Sequence, residues 1–302
     1  MQAFYPFKSH FLDRDGLKYH YLDEGKGDPV VMLHGNPSWS FYYRELVREL
    51  RGSYRTIVPD HIGCGLSDKP ADSYYSFTLK QRVDDLDALL EHLGIRERIT
   101  LVVHDWGGMI GMAYASRYPE RIARLVILNT AAFHLPKSKK LPLALKICRN
   151  TQLGAFLIQT FNAFAFGAAL VGCKRKPMSA DLRKAYCSPY DNWHNRLATL
   201  RFVQDIPLQP GDISYDLVSE VDNGLHRFAD KPMAIFWGEK DFVFDRHFRD
   251  EWQRRFPKAE LHSYPDVGHY ILEDADDLII PLIRDFLKKH PIKTDPAWKK
   301  QR

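Results

Sequence analysis

One aspartate stands at a point of the chain where the residue pattern predicts a buried strand turning sharply into a helix. The apolar run 100–103 leads into residues 104–108, His-Asp-Trp-Gly-Gly, with Asp105 at the position of the nucleophile in a strand–turn–helix motif. A serine at this position needs a histidine to remove its proton and usually attacks an acyl carbon. A carboxylate is already ionised at neutral pH, so Asp105 is predicted to attack an sp³ carbon and leave an alkyl–enzyme ester, which a histidine-activated water can open.

Two residues further along the chain complete a catalytic triad with Asp105. His269 lies in Asp-Val-Gly-His, residues 266–269, and is predicted to be the base. Asp241 follows the strand just before the histidine strand, and Asp245 is its nearest rival as the acid that orients the base. The other known location for this acid, at the end of the strand before the helical insertion, reads Asn129-Thr130-Ala131 and has no carboxylate, which favours Asp241.

Two neutral donors are predicted to hold the group that leaves when Asp105 attacks. Asn36 follows Gly35 in the first loop, and Trp106 follows the nucleophile. Their backbone N–H groups are placed for an oxyanion hole, and their side chains add an amide and an indole N–H. Turn chemistry before Pro37 and core packing are the alternative roles of Asn36 and Trp106.

The elements that must position these residues alternate between strands and helices. Short apolar runs predict buried strands, and 3.6-residue periodicity predicts helices. The predicted strands are 29–34, 55–59, 100–104, 125–129, 232–237 and 260–264, after an N-terminal hairpin of 11–13 and 17–21, and the predicted helices are 42–50, 79–93, 107–118 and 278–289. This alternation predicts an α/β protein with a mostly parallel sheet flanked by helices.

The alternation lapses in one long segment that is helical in pattern. We predict a first core part at residues 1–133, a helical cap at 134–227, and a second core part with a basic tail at 228–302. An insertion between two strands covers the strand ends, where open α/β sheets bind ligands. The apolar stretch 156–171 is interrupted by polar residues and glycine, and we interpret it as cap helices facing an apolar cavity rather than as a membrane span.

Composition favours a globular protein, which we expect to be cytoplasmic and to need neither a metal nor an organic cofactor. Hydrophobic residues make up 45% of the 302 residues, charged residues 27%, and the formal net charge is +5. Basic clusters at 137–140, 174–176 and 299–302 fit a solvated surface, with an anionic partner or a membrane surface as the alternative, and nothing indicates nucleic-acid binding. No signal peptide is recognised at the N-terminus, and the scattered Cys64, Cys148, Cys173 and Cys187 are expected to be free thiols.

Several motifs resemble a known family of enzymes. Residues 34–37 (HGNP), 60–67 (DHIGCGLS), 104–108 and 268–269 resemble the haloalkane dehalogenase family of α/β-hydrolases, and Asn36, Trp106 and Asp241 resemble its third subfamily. Closer still, residues 34–43, 83–89, 128–133 and 189–193 look like the β-lactone decarboxylases of bacterial long-chain olefin synthesis. The resemblance implies an α/β-hydrolase fold with an inserted cap and conversion of a cis-β-lactone to a cis-alkene and carbon dioxide. The olefin-forming relatives work in assemblies, so the resemblance also implies a multiprotein complex or a homo-oligomer.

Other activities remain open at the level of sequence. A dehalogenase would use the same residues, with Asn36 and Trp106 holding halide. An epoxide hydrolase would need tyrosines from the cap as proton donors, and Tyr186, Tyr190 and Tyr215 are available. A noncatalytic receptor of the same fold would not need the triad. Attack at the alkyl or at the acyl carbon of a lactone is also open.

The cap contains a set of large apolar residues that suits a small apolar substrate with long alkyl chains, although the same residues also fit ordinary packing within the cap. They are Phe156, Leu157, Ile158, Phe161, Phe164 and Phe166.

Overall fold

An eight-stranded sheet lies at the centre of the protein. The computed structural model describes residues 4–292. The strands are β1 (His10–Arg14), β2 (Leu17–Glu24), β3 (Pro29–Leu33), β4 (Arg55–Pro59), β5 (Ile99–Asp105), β6 (Ile122–Thr130), β7 (Met233–Gly238) and β8 (Glu260–Tyr264). Their order is β1-β2-β4-β3-β5-β6-β7-β8, in which β2 pairs antiparallel with β1 and β4 and all other pairs are parallel. The α/β class and the mostly parallel sheet predicted from the sequence are confirmed.

Twelve α-helices flank the sheet or cover one of its ends. They are α1 (Arg44–Leu50), α2 (Leu79–His92), α3 (Trp106–Arg117), α4 (Leu143–Asn150), α5 (Gln152–Phe161), α6 (Ala163–Val171), α7 (Ala180–Cys187), α8 (Leu197–Gln204), α9 (Tyr215–Gly224), α10 (Arg246–Arg255), α11 (Ile271–Asp274) and α12 (Asp276–Lys289). These bounds hold for the described residues, 4–292.

The central strands are buried on both faces of the sheet. In β5, Leu101 and Val103 pack into the core on one side, and Val102 packs into the core on the other side. Burial on both faces explains why this strand is a continuous apolar run rather than an alternating one. The two cores together hold the carboxyl end of β5, and therefore Asp105, in a fixed place.

The first helix differs from the prediction at its start. The sequence pattern predicts a helix from Tyr42, whereas the structure has a short 3₁₀ helix, Ser40–Tyr43, before α1 begins at Arg44. The carboxylate of Asp60 accepts a hydrogen bond from the Ser40 backbone N–H at 2.6 Å. This long-range contact satisfies a free donor at the start of the helix, which sequence periodicity does not reveal.

Helices α4 to α9 all lie between β6 and β7, in the segment that the sequence assigns to a cap. The exact division at residues 133/134 and 227/228 stays a prediction. Within residues 4–292, no single helix is long and apolar enough to cross a bilayer; α5 and α6 reach that length and composition only as a pair, and they are bent by 76° at their junction.

Part of the basic surface is neutralised by ion pairs. Lys139 pairs with Asp245, and Arg175 and Lys176 pair with Asp277. The four cysteines are free thiols. The basic cluster at 299–302 lies outside the described residues.

Candidate active site

Asp105 occupies a strained turn at the end of β5. Its φ of 51° and ψ of −127° lie outside the regions that non-glycine residues normally adopt, so the surrounding structure must hold it there. Two glycines make the turn sterically feasible, because a Cβ on Gly107 would overlap the carbonyl oxygen of Leu33 and one on Gly108 would overlap the side chain of Thr130. The Thr130 hydroxyl also donates a hydrogen bond to the backbone carbonyl of Asp105. The turn therefore presents the Asp105 carboxylate at the carboxyl edge of the sheet.

Two backbone N–H groups stabilise the Asp105 carboxylate. The Asn36 backbone N–H donates to Asp105 Oδ1 at 2.6 Å, and the Trp106 backbone N–H also stabilises the charged carboxylate. Burial raises the pKa of Asp105 above its usual range, and His269 and these two N–H groups only partly oppose the shift. The N–H groups predicted to form an oxyanion hole thus stabilise the Asp105 carboxylate itself, and its Oδ2 lies on the side of His269.

His269 and Asp241 form the hydrogen-bonded pair that the sequence predicts. His269 Nδ1 lies 2.8 Å from Asp241 Oδ2, and His269 Nε2 lies 3.9 Å from Asp105 Oδ2. The other oxygen of Asp241 accepts backbone N–H bonds from Val243 at 2.7 Å and Phe244 at 3.1 Å. Since Asp241 is acceptor-only when ionised, His269 must carry its proton on Nδ1, which leaves Nε2 facing the nucleophile.

The charges of the triad stabilise one another. Burial is the largest single effect on the pKa of His269 and lowers it, but the carboxylates of Asp241 and Asp105 together outweigh burial and raise the pKa above its ordinary value. The carboxylates thereby favour the charged form of His269, and that charge in turn favours the ionised form of Asp105. If Asp105 becomes an ester, one of the two negative neighbours is lost and His269 becomes easier to deprotonate.

The alternative positions for the acid have other functions in the fold. Asp245 caps the start of α10 through the His247 backbone N–H and pairs with Lys139. The Asn129 side chain donates to the Gly238 carbonyl at 3.0 Å and accepts from the Gly238 N–H at 2.8 Å, which ties the end of β6 to the end of β7. The geometry thus brings Asp241, and neither of these residues, to His269.

The two predicted side-chain donors differ in their availability. Asn36 Nδ2 donates to the Thr199 carbonyl oxygen of α8 at 3.0 Å. A carbonyl only accepts, so this bond orients the amide and leaves Asn36 one further N–H. The Trp106 indole N–H forms no hydrogen bond with any residue of 4–292, and Trp106 lines the pocket described next. Trp106 is thus the freer donor, and the cap sets the orientation of Asn36.

An apolar pocket of about 350 Å³ opens onto the Asp105 carboxylate. Its polar side chains are those of Asn36, Asp105 and His269, with the indole of Trp106 and the thiol of Cys148. The apolar wall comes from both the core and the cap, with Met109, Phe133, Leu135, Leu141, Leu145, Leu157, Phe164, Val171, Val203, Ile206, Phe242, Phe244 and Phe248 as its larger members. Such a pocket suits a substrate that is apolar except at its reacting centre.

Only part of the predicted apolar cap set lines this pocket. Leu157 and Phe164 do, and Ile158 instead packs inside the cap with Leu200 and Val203. The remaining members, Phe156, Phe161 and Phe166, are exposed on the outside of the cap. Periodicity could not separate the inner and outer sides of these helices because both sides are apolar.

The tyrosines that an epoxide hydrolase would need point elsewhere. The Tyr186 hydroxyl donates to Glu273 at 2.7 Å, and the Tyr190 hydroxyl donates to the Ser38 carbonyl at 3.0 Å. The Tyr215 ring stacks on His134. None of the three lines the pocket as formed by residues 4–292, so the geometry disfavours that activity.

Sequence reasoning missed residues that shape the site without reacting. His104 donates from Nε2 to the His269 carbonyl at 2.9 Å, and the Phe244 ring stacks on the imidazole of His269. Thr199 orients Asn36 across a separation of 163 residues. Only the position of Phe244, three residues after Asp241, carries a signal that local sequence could have shown.

A comparison of the sequence with models of protein families agrees with this architecture. The model for the alpha/beta hydrolase fold matches residues 28–276, and the chain belongs to the α/β-hydrolase family.

Within that class, the chain is 62% identical over 282 residues to the cis-3-alkyl-4-alkyloxetan-2-one decarboxylase of Shewanella oneidensis, covering 93% of this chain and 89% of that protein. It is 31% identical to haloalkane dehalogenase 2 of Mycobacterium bovis, covering 92% of this chain and 94% of that protein. The crystal structure of the haloalkane dehalogenase DatA from Agrobacterium tumefaciens superimposes with a TM-score of 0.85 at 24% identity, covering 96% of this chain and 100% of that chain, and shows the shared fold. The resemblance to haloalkane dehalogenases and β-lactone decarboxylases is confirmed.

Proposed function

We propose that this protein is a β-lactone decarboxylase that converts cis-3-alkyl-4-alkyl-β-lactones into cis-alkenes and carbon dioxide. An oxetan-2-one is a β-lactone, so the proposal gives this chain the activity named for its relative at 62% identity. The observation that carries it is the Asp105 carboxylate facing an apolar pocket whose few polar groups surround that carboxylate. A β-lactone with two alkyl chains has the matching polarity, with one polar ring between apolar arms.

The reaction can proceed through Asp105 without consuming water. Asp105 Oδ2 attacks the ring carbon that carries the ring oxygen, the carbon–oxygen bond of the ring breaks, and its electron pair leaves on a carboxylate. The bond from that carboxylate to the neighbouring carbon then breaks to release carbon dioxide, and its electron pair forms the double bond. Asp105 is expelled as a carboxylate, so the enzyme returns to its starting state without a net proton transfer.

The neighbours of Asp105 have distinct tasks in this scheme. Trp106 offers its indole N–H to the carboxylate that the ring opening creates, and the second amide N–H of Asn36 assists. His269, held by Asp241, keeps Asp105 ionised through its positive charge. Neutral donors suit a leaving carboxylate that must next lose carbon dioxide, because a fixed cation would stabilise it and slow that step.

Haloalkane dehalogenation is the second candidate activity, because the relatives of this chain include haloalkane dehalogenase 2 at 31% identity. In that reaction Asp105 displaces halide, Trp106 and Asn36 hold the halide, and His269 Nε2 activates a water against the ester. The His269–Asp105 separation of 3.9 Å is compatible with this role too.

The test gives the purified protein a long-chain cis-β-lactone in one assay and a series of bromoalkanes in another, and it measures alkene and bromide. We expect rapid alkene formation with little bromide. The variant Asp105→Asn should form no alkene, while the control Asp245→Asn, which changes a nearby aspartate outside the triad, should retain activity. Rapid bromide release without alkene would overturn the proposal and establish the dehalogenase.

The role of water is tested with His269→Ala. A route that needs ester hydrolysis would stall, so intact-mass measurement would find the alkyl group on the protein. We expect no such accumulation with the β-lactone, because carbon dioxide loss expels Asp105 without water. A stable adduct on Asp105 from the lactone would contradict the decarboxylative step.

We further propose that the protein acts in bacterial olefin biosynthesis in the cytoplasm, within a multiprotein complex or as a homo-oligomer. The similarity to the decarboxylase supports the pathway. Native mass in dilute salt, compared with the 35.1 kDa of one chain, tests the assembly. A strictly monomeric species, alone and with cell extract, would argue against it.

A further inference from the structure

The first part of the cap segment, residues 134–180, contains no acidic residue. No aspartate or glutamate occurs between Glu120 and Asp181, a stretch that contains α4, α5 and α6. Its basic residues from position 134 onward are Lys137, Lys139, Lys140, Lys146, Arg149, Lys174, Arg175 and Lys176. Elsewhere the chain mixes both signs, so this part of the cap has a charge bias of its own.

Half of these cations are neutralised and half are free to meet a ligand. Arg149 pairs with Asp212, and Lys139, Arg175 and Lys176 pair with aspartates of the core. Four exposed lysines form no ion pair with any residue of 4–292: Lys137, Lys140, Lys146 and Lys174. They lie before α4, on α4 and directly after α6, and so flank the helices at both ends.

Between Lys146 and Lys174 in the chain, α5 and α6 carry large apolar side chains that are exposed to solvent. We call them the apolar cap face: Leu153, Phe156, Phe161, Phe166 and Leu170. Phe156 is 53% exposed and Phe161 64%, and their rings meet edge to face with centroids 5.6 Å apart. A cluster of exposed aromatic residues of this kind marks an interaction surface rather than ordinary surface variation.

Helix α6 contributes to both the apolar cap face and the wall of the active-site pocket. On α6, Phe164 and Ala168 line the pocket, whereas Phe166 and Leu170 are exposed. Val171 does both, since it is 41% exposed and also lines the pocket. Apolar surface therefore continues from the outside of the cap into the site.

We propose that the apolar cap face and its flanking lysines dock the protein onto an anionic lipid bilayer. Aromatic and aliphatic side chains would enter the boundary between headgroups and acyl chains, and the lysines would meet the lipid phosphates. The 76° bend between α5 and α6 suits insertion at the surface rather than a span. A long-chain substrate would then pass between bilayer and pocket along apolar surface. Docking goes beyond the proposed reaction and does not depend on it.

A lipid surface fits these observations better than a protein partner. The face combines exposed phenylalanines with unpaired lysines and no acid, which matches an apolar layer covered by anionic headgroups. A second copy of the chain would bring its own lysines against these lysines, and that contact would be repulsive.

The test is cosedimentation of the full chain with vesicles, without substrate, so that its outcome is independent of the reaction. One vesicle set contains phosphatidylcholine with phosphatidylglycerol, and the other contains phosphatidylcholine alone. We expect binding to the anionic set, loss of that binding at high salt, and weak binding to the neutral set.

Two sets of substitutions assign the binding to this surface. Phe156→Ser, Phe161→Ser and Phe166→Ser together should weaken binding by more than about tenfold. Lys140→Glu and Lys146→Glu should weaken it by at least roughly fivefold for each lysine. The control Tyr74→Ser with Ile213→Ser removes two side chains that are 82% and 81% exposed away from the cap face, and it should leave binding unchanged.

None of the three phenylalanines lines the pocket, so the triple variant should keep its rate on a short-chain, water-soluble β-lactone. That rate also shows that the variant is folded. Equal binding of the wild type and the phenylalanine variant, or binding without regard to vesicle charge, would overturn the proposal. So would an oligomer that the same three substitutions dissociate in the absence of vesicle binding, because a second copy would then cover the face.

Discussion

Replacing Asp241 by asparagine provides a stringent test of the triad. Asp241 accepts three hydrogen bonds, two from the backbone N–H groups of Val243 and Phe244 on one oxygen and one from His269 Nδ1 on the other. An asparagine has one oxygen and one NH₂ group. Its oxygen must stay with the two backbone donors, so its NH₂ group must face His269.

The structure sets the size of this preference. Turning the amide the other way would leave two partly buried backbone N–H groups without their acceptor, at about 1–3 kcal/mol each, or about 2–6 kcal/mol in total. The NH₂ group then donates to His269 Nδ1, which forces the imidazole proton onto Nε2. The population of the native tautomer should therefore fall by a factor of roughly 30 to 20,000.

The same substitution removes the principal group that raises the pKa of His269. Burial, which lowers that pKa, is then opposed only by Asp105, so the pKa of His269 should fall. A neutral His269 no longer stabilises the Asp105 carboxylate, and the pKa of Asp105, already raised by burial, should rise further. In the proposed mechanism turnover needs ionised Asp105 and is lost as pH falls through its pKa. The acidic limb of the rate profile should therefore move to higher pH.

The assay combines ¹⁵N NMR of the histidine ring nitrogens with alkene formation as a function of pH. Above the pKa of His269, where the ring is neutral, the wild type should show its single ring proton on Nδ1, and Asp241→Asn should show it on Nε2. The control Asp245→Asn should match the wild type, because Asp245 caps α10 and does not contact His269. An unchanged tautomer with an unchanged acidic limb in Asp241→Asn would refute the assignment of Asp241 as the orienting acid.

Two further substitutions test the nucleophile and its turn. Asp105→Asn should abolish turnover and leave the fold intact. Burial raises the pKa of Asp105 in the folded state, so its ionised form opposes folding at neutral pH. The variant should therefore unfold at a higher temperature than the wild type at pH 7, and this gain should vanish below about pH 4. Retained activity, or a lower unfolding temperature, would contradict this. Gly107→Ala should lower the free energy of unfolding by about 1–3 kcal/mol, because the new Cβ would overlap the Leu33 carbonyl oxygen. The control Gly52→Ala, whose Cβ would meet no atom within 4 Å, should change it by less than about 0.5 kcal/mol. Equal melting temperatures of the two variants would be evidence against the close approach at Gly107.

The sequence predicts the core of this fold well because its strands are short apolar runs with clear punctuation. The strand predicted at 55–59 is β4, Arg55–Pro59, and the strand predicted at 260–264 is β8, Glu260–Tyr264. The order Asp105, Asp241, His269 along the chain also indicated which residues would meet, since each follows a predicted strand of one parallel sheet. The structure brings all three together, and their chemical roles remain to be tested.

The pocket-facing side of the cap was less predictable, because α5 and α6 carry apolar residues on all sides. Periodicity shows which face of a helix is apolar only when another face is polar. In α5 and α6 it could not tell Leu157 and Phe164, which line the pocket, from Phe156 and Phe166, which are exposed. The availability of cap tyrosines was likewise undecided until their hydroxyl partners were known.

The sequence by itself determined the reactive groups: a carboxylate at a glycine-rich turn, a histidine and acid in the right chain order, and an apolar cap. These features are local, because a turn, a strand and a residue type depend on near neighbours. Only the tertiary structure decided which donors remain free, which way the Asn36 amide points, and which cap residues face the substrate. Each of those depends on contacts between distant parts of the chain, as when Thr199 in the cap orients Asn36 in the core.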